Sequence, residues 1–229
     1  MSENDFDRFK DNYHEILDQS LAFSGQNTDF FAEMKARHIL DVARRHVGPP
    51  TTLKILDLGC GVGPTESFLA PHVGSLHGVD VSSGVLETAA KRNPTVNYRV
   101  FDGKSIPFPD KTFDVVFAIC VMHHVKPEDR APLIQEMRRV TKTGGIDMIF
   151  EHNPLNPLTM HIVNNCEFDH DAILLREAET RGLFQAGGLS VLERRYYLFF
   201  PWRGKLFDLI ERGLSRLPFG GQYFVAART

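Results

Sequence analysis

The chain has 229 residues, 42% of them hydrophobic and 24% charged, with a formal net charge of −3. Such a composition excludes a disordered chain, and the near-balanced charge excludes a general basic footprint for nucleic acid. No apolar run reaches the length of a membrane span, nothing in the first thirty residues reads as a signal peptide, and the three cysteines (Cys60, Cys120, Cys166) have no paired framework, so reduced thiols in a cytoplasmic setting are expected.

Taken in chain order, residues 1–20 are polar and acidic but carry Phe6, Phe9, Tyr13, Ile16 and Leu17 on one face of a short helix. Ser24-Gly25-Gln26-Asn27 breaks that pattern, a second helix runs from Phe30 to His46, and Gly48-Pro49-Pro50 closes it. Short apolar runs then alternate with helical ones. Strands are expected at Lys54 to Leu58, Ser75 to Val79, Val96 to Phe101, Phe113 to Ile119 and Gly145 to Glu151. Helices are expected at Thr65 to Ala70, Ser83 to Arg92 and Pro127 to Val140, the last ended by Thr143-Gly144-Gly145. This rhythm describes a parallel sheet with helices on both faces.

After Glu151 the rhythm fails. Asn153 to Pro157 reads as a loop, His170 to Arg181 as a helix, Leu189 to Phe200 as an apolar run and Gln222 to Ala227 as a last strand. Between them, Trp202, Leu206, Leu209, Ile210, Leu214 and Leu217 recur at three- and four-residue steps. That amphipathic helix has two readings, packing against the sheet or peripheral membrane contact.

The run Ile55 to Gly63 carries the chemistry. An apolar strand enters a turn with Gly59, Gly61 and Gly63, where the backbone can approach a ligand and adopt positive φ, and Asp57 sits at the strand's tip. A carboxylate there attracts an ammonium group, or caps the loop amides. Asp80 follows 23 residues later at the end of the second strand, where it can accept two hydrogen bonds from a ribose diol or cap the helix near Ser83. Asp102 before Gly103 is in reach of an adenine amino group, or forms a solvated Asp-Gly turn. Ile119, Cys120, Val121 and Met122 lead into His123-His124, where apolar side chains either sandwich a purine or pack in the core.

These pieces, with Gly78 to Ser82, Phe113 to Val116, Val121 to Val125 and Glu136 to Gly145, resemble the class I S-adenosylmethionine-dependent methyltransferases over roughly residues 35 to 151. The resemblance implies a Rossmann-like, seven-stranded, mostly parallel α/β sheet with helices on both faces and the last strand antiparallel. It implies S-adenosylmethionine as cofactor, held by Asp57, Gly59, Cys60, Gly61, Gly63, Asp80, Val81, Asp102, Gly103 and Cys120, with Asp114 belonging to the scaffold. The family usually shows Pro where this chain has Thr143.

The expected organisation is one domain over 1–229, with 1–50 as a helical cap and 152–221 as acceptor-side additions. The expected reaction is in-line methyl transfer to a small molecule: a sugar, a lipid-like molecule or a secondary metabolite. His124, Glu151 and His152 are the residues expected to serve as general base, each with a structural alternative. His161, Asn164, Asn165 and Cys166 form a polar cluster that could line the acceptor pocket. No metal is expected, since no ligand pair sits on a predicted helix or strand. The rival classes are a nicotinamide-dependent oxidoreductase, which Glu66 at the third fingerprint position disfavours, and a non-catalytic cofactor-binding subunit.

Overall fold

Alternating burial along the chain builds one sheet with a core on each side. The computed structural model describes residues 25–200, 202 and 204–229; the apolar face of Phe6, Phe9, Tyr13, Ile16 and Leu17 lies outside them. Helix α1 (Thr28–His46) starts where Asn27 accepts a hydrogen bond from the Phe30 amide, and it buries Ala36, Ile39 and Ala43 at three- and four-residue steps. Five strands follow in the expected places: β1 (Lys54–Leu58), β2 (Ser75–Asp80), β3 (Asn97–Val100), β4 (Phe113–Ile119) and β5 (Thr141–His152). Between them lie α2 (Glu66–Leu69), α3 (Ser83–Arg92) and α4 (Pro127–Val140).

The sheet order is β3-β2-β1-β4-β5-β7-β6. Strands β1 to β5 pair in parallel, and β7 (Gln222–Arg228) inserts antiparallel between β5 and β6 (Ser190–Tyr197). Along β4, Val116 and Ala118 join Met137 and Phe184 in one core, while Val115 and Phe117 join Ile39 and Phe224 in the other. The two-residue period of a strand is the cause. Chain direction across the sheet reverses between β1 and β4, so their carboxyl ends open a crevice in which a ligand can sit.

Asp114 behaves as scaffold: it accepts from the Lys54 amide at 2.8 Å and from Lys142 Nζ at 2.7 Å. Thr143-Gly144-Gly145 does not end α4. It lies inside β5 as a register irregularity against β4, with Gly144 at φ +81°. The expected helix at His170 to Arg181 is displaced to α6 (Glu177–Ala186), whose Glu179 Oε2 accepts from the Arg176 amide at 2.7 Å and sets the start. Asn156-Pro157, expected as loop, instead opens α5 (Pro157–Asn165), with Asn156 accepting from the Leu158 and Thr159 amides.

Helix α7 (Lys205–Leu214) follows the expected amphipathic run, yet Leu206 and Leu209 are 65% and 68% exposed, so packing on the sheet does not account for its apolar face. Among the described residues no helix is long and apolar enough to cross a membrane.

Candidate active site

The crevice at the carboxyl ends of β1 and β4 is a cavity of about 520 Å³. Its floor is the glycine turn. Gly59, Gly61 and Gly63 sit at φ +76°, +54° and +74°, a left-handed course that side chains resist. A Cβ on Gly59 would strike Val121 Cγ2, so the loop after β4 lies directly on the turn. Gly63 serves packing: its added Cβ would stand 2.5 Å from Asn93 Nδ2, on the side away from the cavity lining.

Asp57 is buried at the end of β1 and lines the cavity. Behind it lies Glu66, fully buried, its carboxyl hydrogen-bonded to that of Asp57. Burial, then the negative charges of Glu66 and Asp80, push the Asp57 carboxyl well above its ordinary range; Lys35, also lining the cavity, opposes them. Burial brings Glu66 up to about 8, with its own amide and Arg92 offsetting part of the effect. A buried acid facing a cavity is suited to a cationic ligand group.

Asp80 Oδ2 accepts from the Gly61 amide at 2.9 Å and Oδ1 from the Ser82 amide at 3.1 Å. It therefore fixes the glycine turn to β2 while lining the cavity. The helix cap is Ser82, which accepts from the Val85 amide. Cys60, Gly61, Val81, Gly103 and Cys120 line the cavity, and Cys120 holds a left-handed φ of +56°. Asp102 does not. It is exposed, and its Oδ1 accepts from the Lys104 and Ser105 amides, the turn alternative weighed from sequence. Met122 is core, whereas Ile119 and Val121 line the cavity.

The far wall gathers the histidines. His123, His124 and His152 line the cavity together with Asp169. Glu151 is fully buried outside that lining: its Oε1 accepts from the Met122 amide at 2.8 Å, and its Oε2 lies 2.5 Å from His123 Nδ1. Although burial alone would do the reverse, this pairing holds Glu151 below and His123 above their ordinary ranges. Burial lowers His124 and His152 to about 4, so both are neutral at pH 7. His152 also lies 3.7 Å from Cys120 Sγ and 3.4 Å from Gln222 Nε2.

Of the expected polar cluster only Cys166 reaches the cavity; His161, Asn164 and Asn165 are exposed on α5. Sequence reasoning placed His123 in its motif but not among the acting residues. Asp169 and Lys35 carried no local signal at all.

The "Methyltransferase domain" family profile matches residues 56–149. An uncharacterized methyltransferase of Bacillus subtilis, YcgJ, is 30% identical over 146 residues, covering 60% of this chain and 57% of the relative. A demethylmenaquinone methyltransferase of Thermotoga maritima is 32% identical over 154 residues, covering 66% of this chain and 61% of the relative. The fold matches a solved S-adenosylmethionine-dependent methyltransferase of Thermotoga maritima at TM-score 0.67 and 18% identity, over 97% of each chain. Residues 56–149 therefore match a methyltransferase domain, and the fold is that of solved S-adenosylmethionine-dependent methyltransferases. The chain spans 57% and 61% of the length of those two curated relatives.

The buried acids of this fold are testable without substrate. Glu66 binds its proton up to about pH 8 when folded against an ordinary 4.5, and Asp147, buried on β5, up to about 7 against 3.8. Between those values the folded state holds protons that the unfolded state has released, so stability falls as pH rises. Four histidines lowered to about 4 (His38, His77, His124 and His152) act oppositely, but only below pH 6.5. The ligand-free melting temperature should therefore fall from pH 6.5 to 8, at up to about 1.4 kcal/mol per pH unit for each proton. Glu66→Gln should flatten that fall in a thermal scan series, and an unchanged slope would refute the assignment.

Proposed function

We propose that the chain transfers a methyl group from S-adenosylmethionine to a small-molecule acceptor with a substantial apolar body. The observation that carries this is the buried Asp57 carboxyl, set beside a left-handed glycine turn and opening into a cavity that continues to the histidine wall. S-Adenosylmethionine supplies an electrophilic methyl group on a sulfonium.

Asp57 receives the ammonium group of the cofactor's amino-acid part, and the glycine turn presents backbone rather than side chains to it. Asp80 takes the ribose hydroxyls. Val81, Phe101, Gly103 and Val121, all lining the cavity, form the apolar side toward the adenine, and Asp102 contributes by holding the Gly103 turn.

Leu158, Ile162, Phe168, Leu198 and Phe199 line the acceptor side, within the 152–221 additions. They exclude water and favour an apolar acceptor. The Thermotoga maritima relative's named activity on demethylmenaquinone supports a lipid-like aromatic acceptor over a sugar. His124 and His152 offer neutral imidazoles for the acceptor proton, while Glu151 acts through His123 as a positioning residue.

Calorimetric titration with S-adenosylmethionine, S-adenosylhomocysteine and NAD tests the reading. The first two should bind one to one. NAD binding without binding of the other two would establish the oxidoreductase alternative instead.

A further inference from the structure

His123 and His124 are consecutive, yet their side chains converge: the ring centroids are 4.1 Å apart and the two Nε2 atoms 3.0 Å apart. Asp169, in the turn after α5, brings Oδ1 to 3.3 Å from His123 Nε2 and 3.6 Å from His124 Nε2. All three line the cavity. Both carboxylate distances exceed the N–H···O range of about 2.7–3.2 Å, and one N–H cannot serve two acceptors well. Donor atoms bound at about 2.0–2.2 Å to one ion, by contrast, stand about 3.0–3.6 Å from each other. The observed triangle has those edges.

A second feature points the same way. His123 turns its Nδ1 to the buried Glu151 carboxylate, which fixes the ring and leaves Nε2 to face Asp169 and His124, the arrangement of a carboxylate–histidine metal ligand. The loops that carry the ligands are also clamped. Arg130 donates to the Met122, Val125 and Ile173 carbonyls at 3.1, 3.0 and 2.7 Å, and the Ile173 amide donates to the His123 carbonyl at 2.8 Å. Thus the segment after Asp169 is stitched to the His123-His124 turn, which supplies the rigidity that no predicted helix or strand provided.

We propose that His123 Nε2, His124 Nε2 and Asp169 Oδ1 bind a divalent first-row transition ion such as zinc, cobalt or iron, with its remaining positions open to the cavity. Two imidazoles and one carboxylate select such ions over magnesium and calcium, which prefer oxygen donors. Resting on the methyl-transfer reading, the ion's open positions hold the oxygen of the acceptor, and His124 then acts as a ligand, leaving the acceptor proton to His152.

The test needs no turnover. Tag-free protein, stripped with chelator and desalted, is titrated with Co²⁺ by visible absorption and with Zn²⁺ by calorimetry; S-adenosylhomocysteine is titrated in parallel. One equivalent of Co²⁺ should bind with d–d bands. Because His123→Ala strands the buried Glu151 carboxylate, the variants to use are His124→Ala and Asp169→Asn, each checked for folding by circular dichroism. Each should weaken Co²⁺ binding about a hundredfold while S-adenosylhomocysteine still binds. A featureless spectrum at millimolar Co²⁺, or affinity unchanged in both variants, overturns the ion site. Co²⁺ binding without S-adenosylhomocysteine binding would support the ion site and overturn the methyl-transfer reading.

Discussion

Asp80→Ala should weaken S-adenosylhomocysteine binding about a hundredfold or more by calorimetry. Two hydrogen bonds from a ribose diol to an ionised carboxylate are each worth about 1.5–3 kcal/mol, and the variant loses both. It also strips the acceptor from the Gly61 and Ser82 amides, so the glycine turn loses its tie to β2. Part of the lost affinity therefore comes from a turn no longer held in its binding shape. Asp80→Asn separates the two effects: one amide oxygen restores a turn acceptor but not the charged pair, so its melting temperature should recover more than its affinity. A folded Asp80→Ala protein that binds within tenfold of the parent would remove Asp80 from the cofactor site.

Gly63→Ala should lower the melting temperature by about 4–20 °C, at about 2–4 °C per kcal/mol for a chain of this size. A non-glycine residue in the left-handed region costs about 1–2 kcal/mol, and Gly63 lies at φ +74°. The new Cβ would stand 2.5 Å from Asn93 Nδ2 and 3.0 Å from the Tyr98 hydroxyl. Asn93 Nδ2 donates to the Gly63 carbonyl at 2.8 Å, and Asn93 Oδ1 accepts from the Ser67 hydroxyl at 2.8 Å, so displacing it unpairs buried polar groups at about 1–3 kcal/mol. Gly182→Ala is the matched control. Gly182 lies within α6 with nothing within 4 Å of an added Cβ, and alanine there should be neutral or stabilising. Equal melting temperatures for the two variants would refute the assignment of Gly63 to packing.

The parallel half of the fold was legible because its signals are local. Lys54 to Leu58, Ser83 to Arg92, Phe113 to Ile119 and Pro127 to Val140 matched their observed elements end to end, since apolar period and helix-start residues coincide there. Beyond Glu151 the signals conflict. Asn156-Pro157 satisfies both a turn and a helix start, and only the neighbouring strand decides between them: Asn156 Nδ2 donates to the Phe219 carbonyl and Thr159 Oγ1 to the Gly221 carbonyl, next to β7. Asp102 lies two residues past β3, where the Lys104 and Ser105 amides take its carboxylate.

Sequence alone determined where Asp57, the glycine turn and Asp80 stand, because they are placed by strand ends and by backbone dihedrals that neighbouring residues dictate. The tertiary structure decided the opposite wall of the cavity. Glu151 and Asp169 meet the His123-His124 turn across gaps of 28 and 46 residues, and their roles follow from burial and distance. No local pattern encodes such a meeting, since it depends on how β5 and the segment after α5 pack against the end of β4.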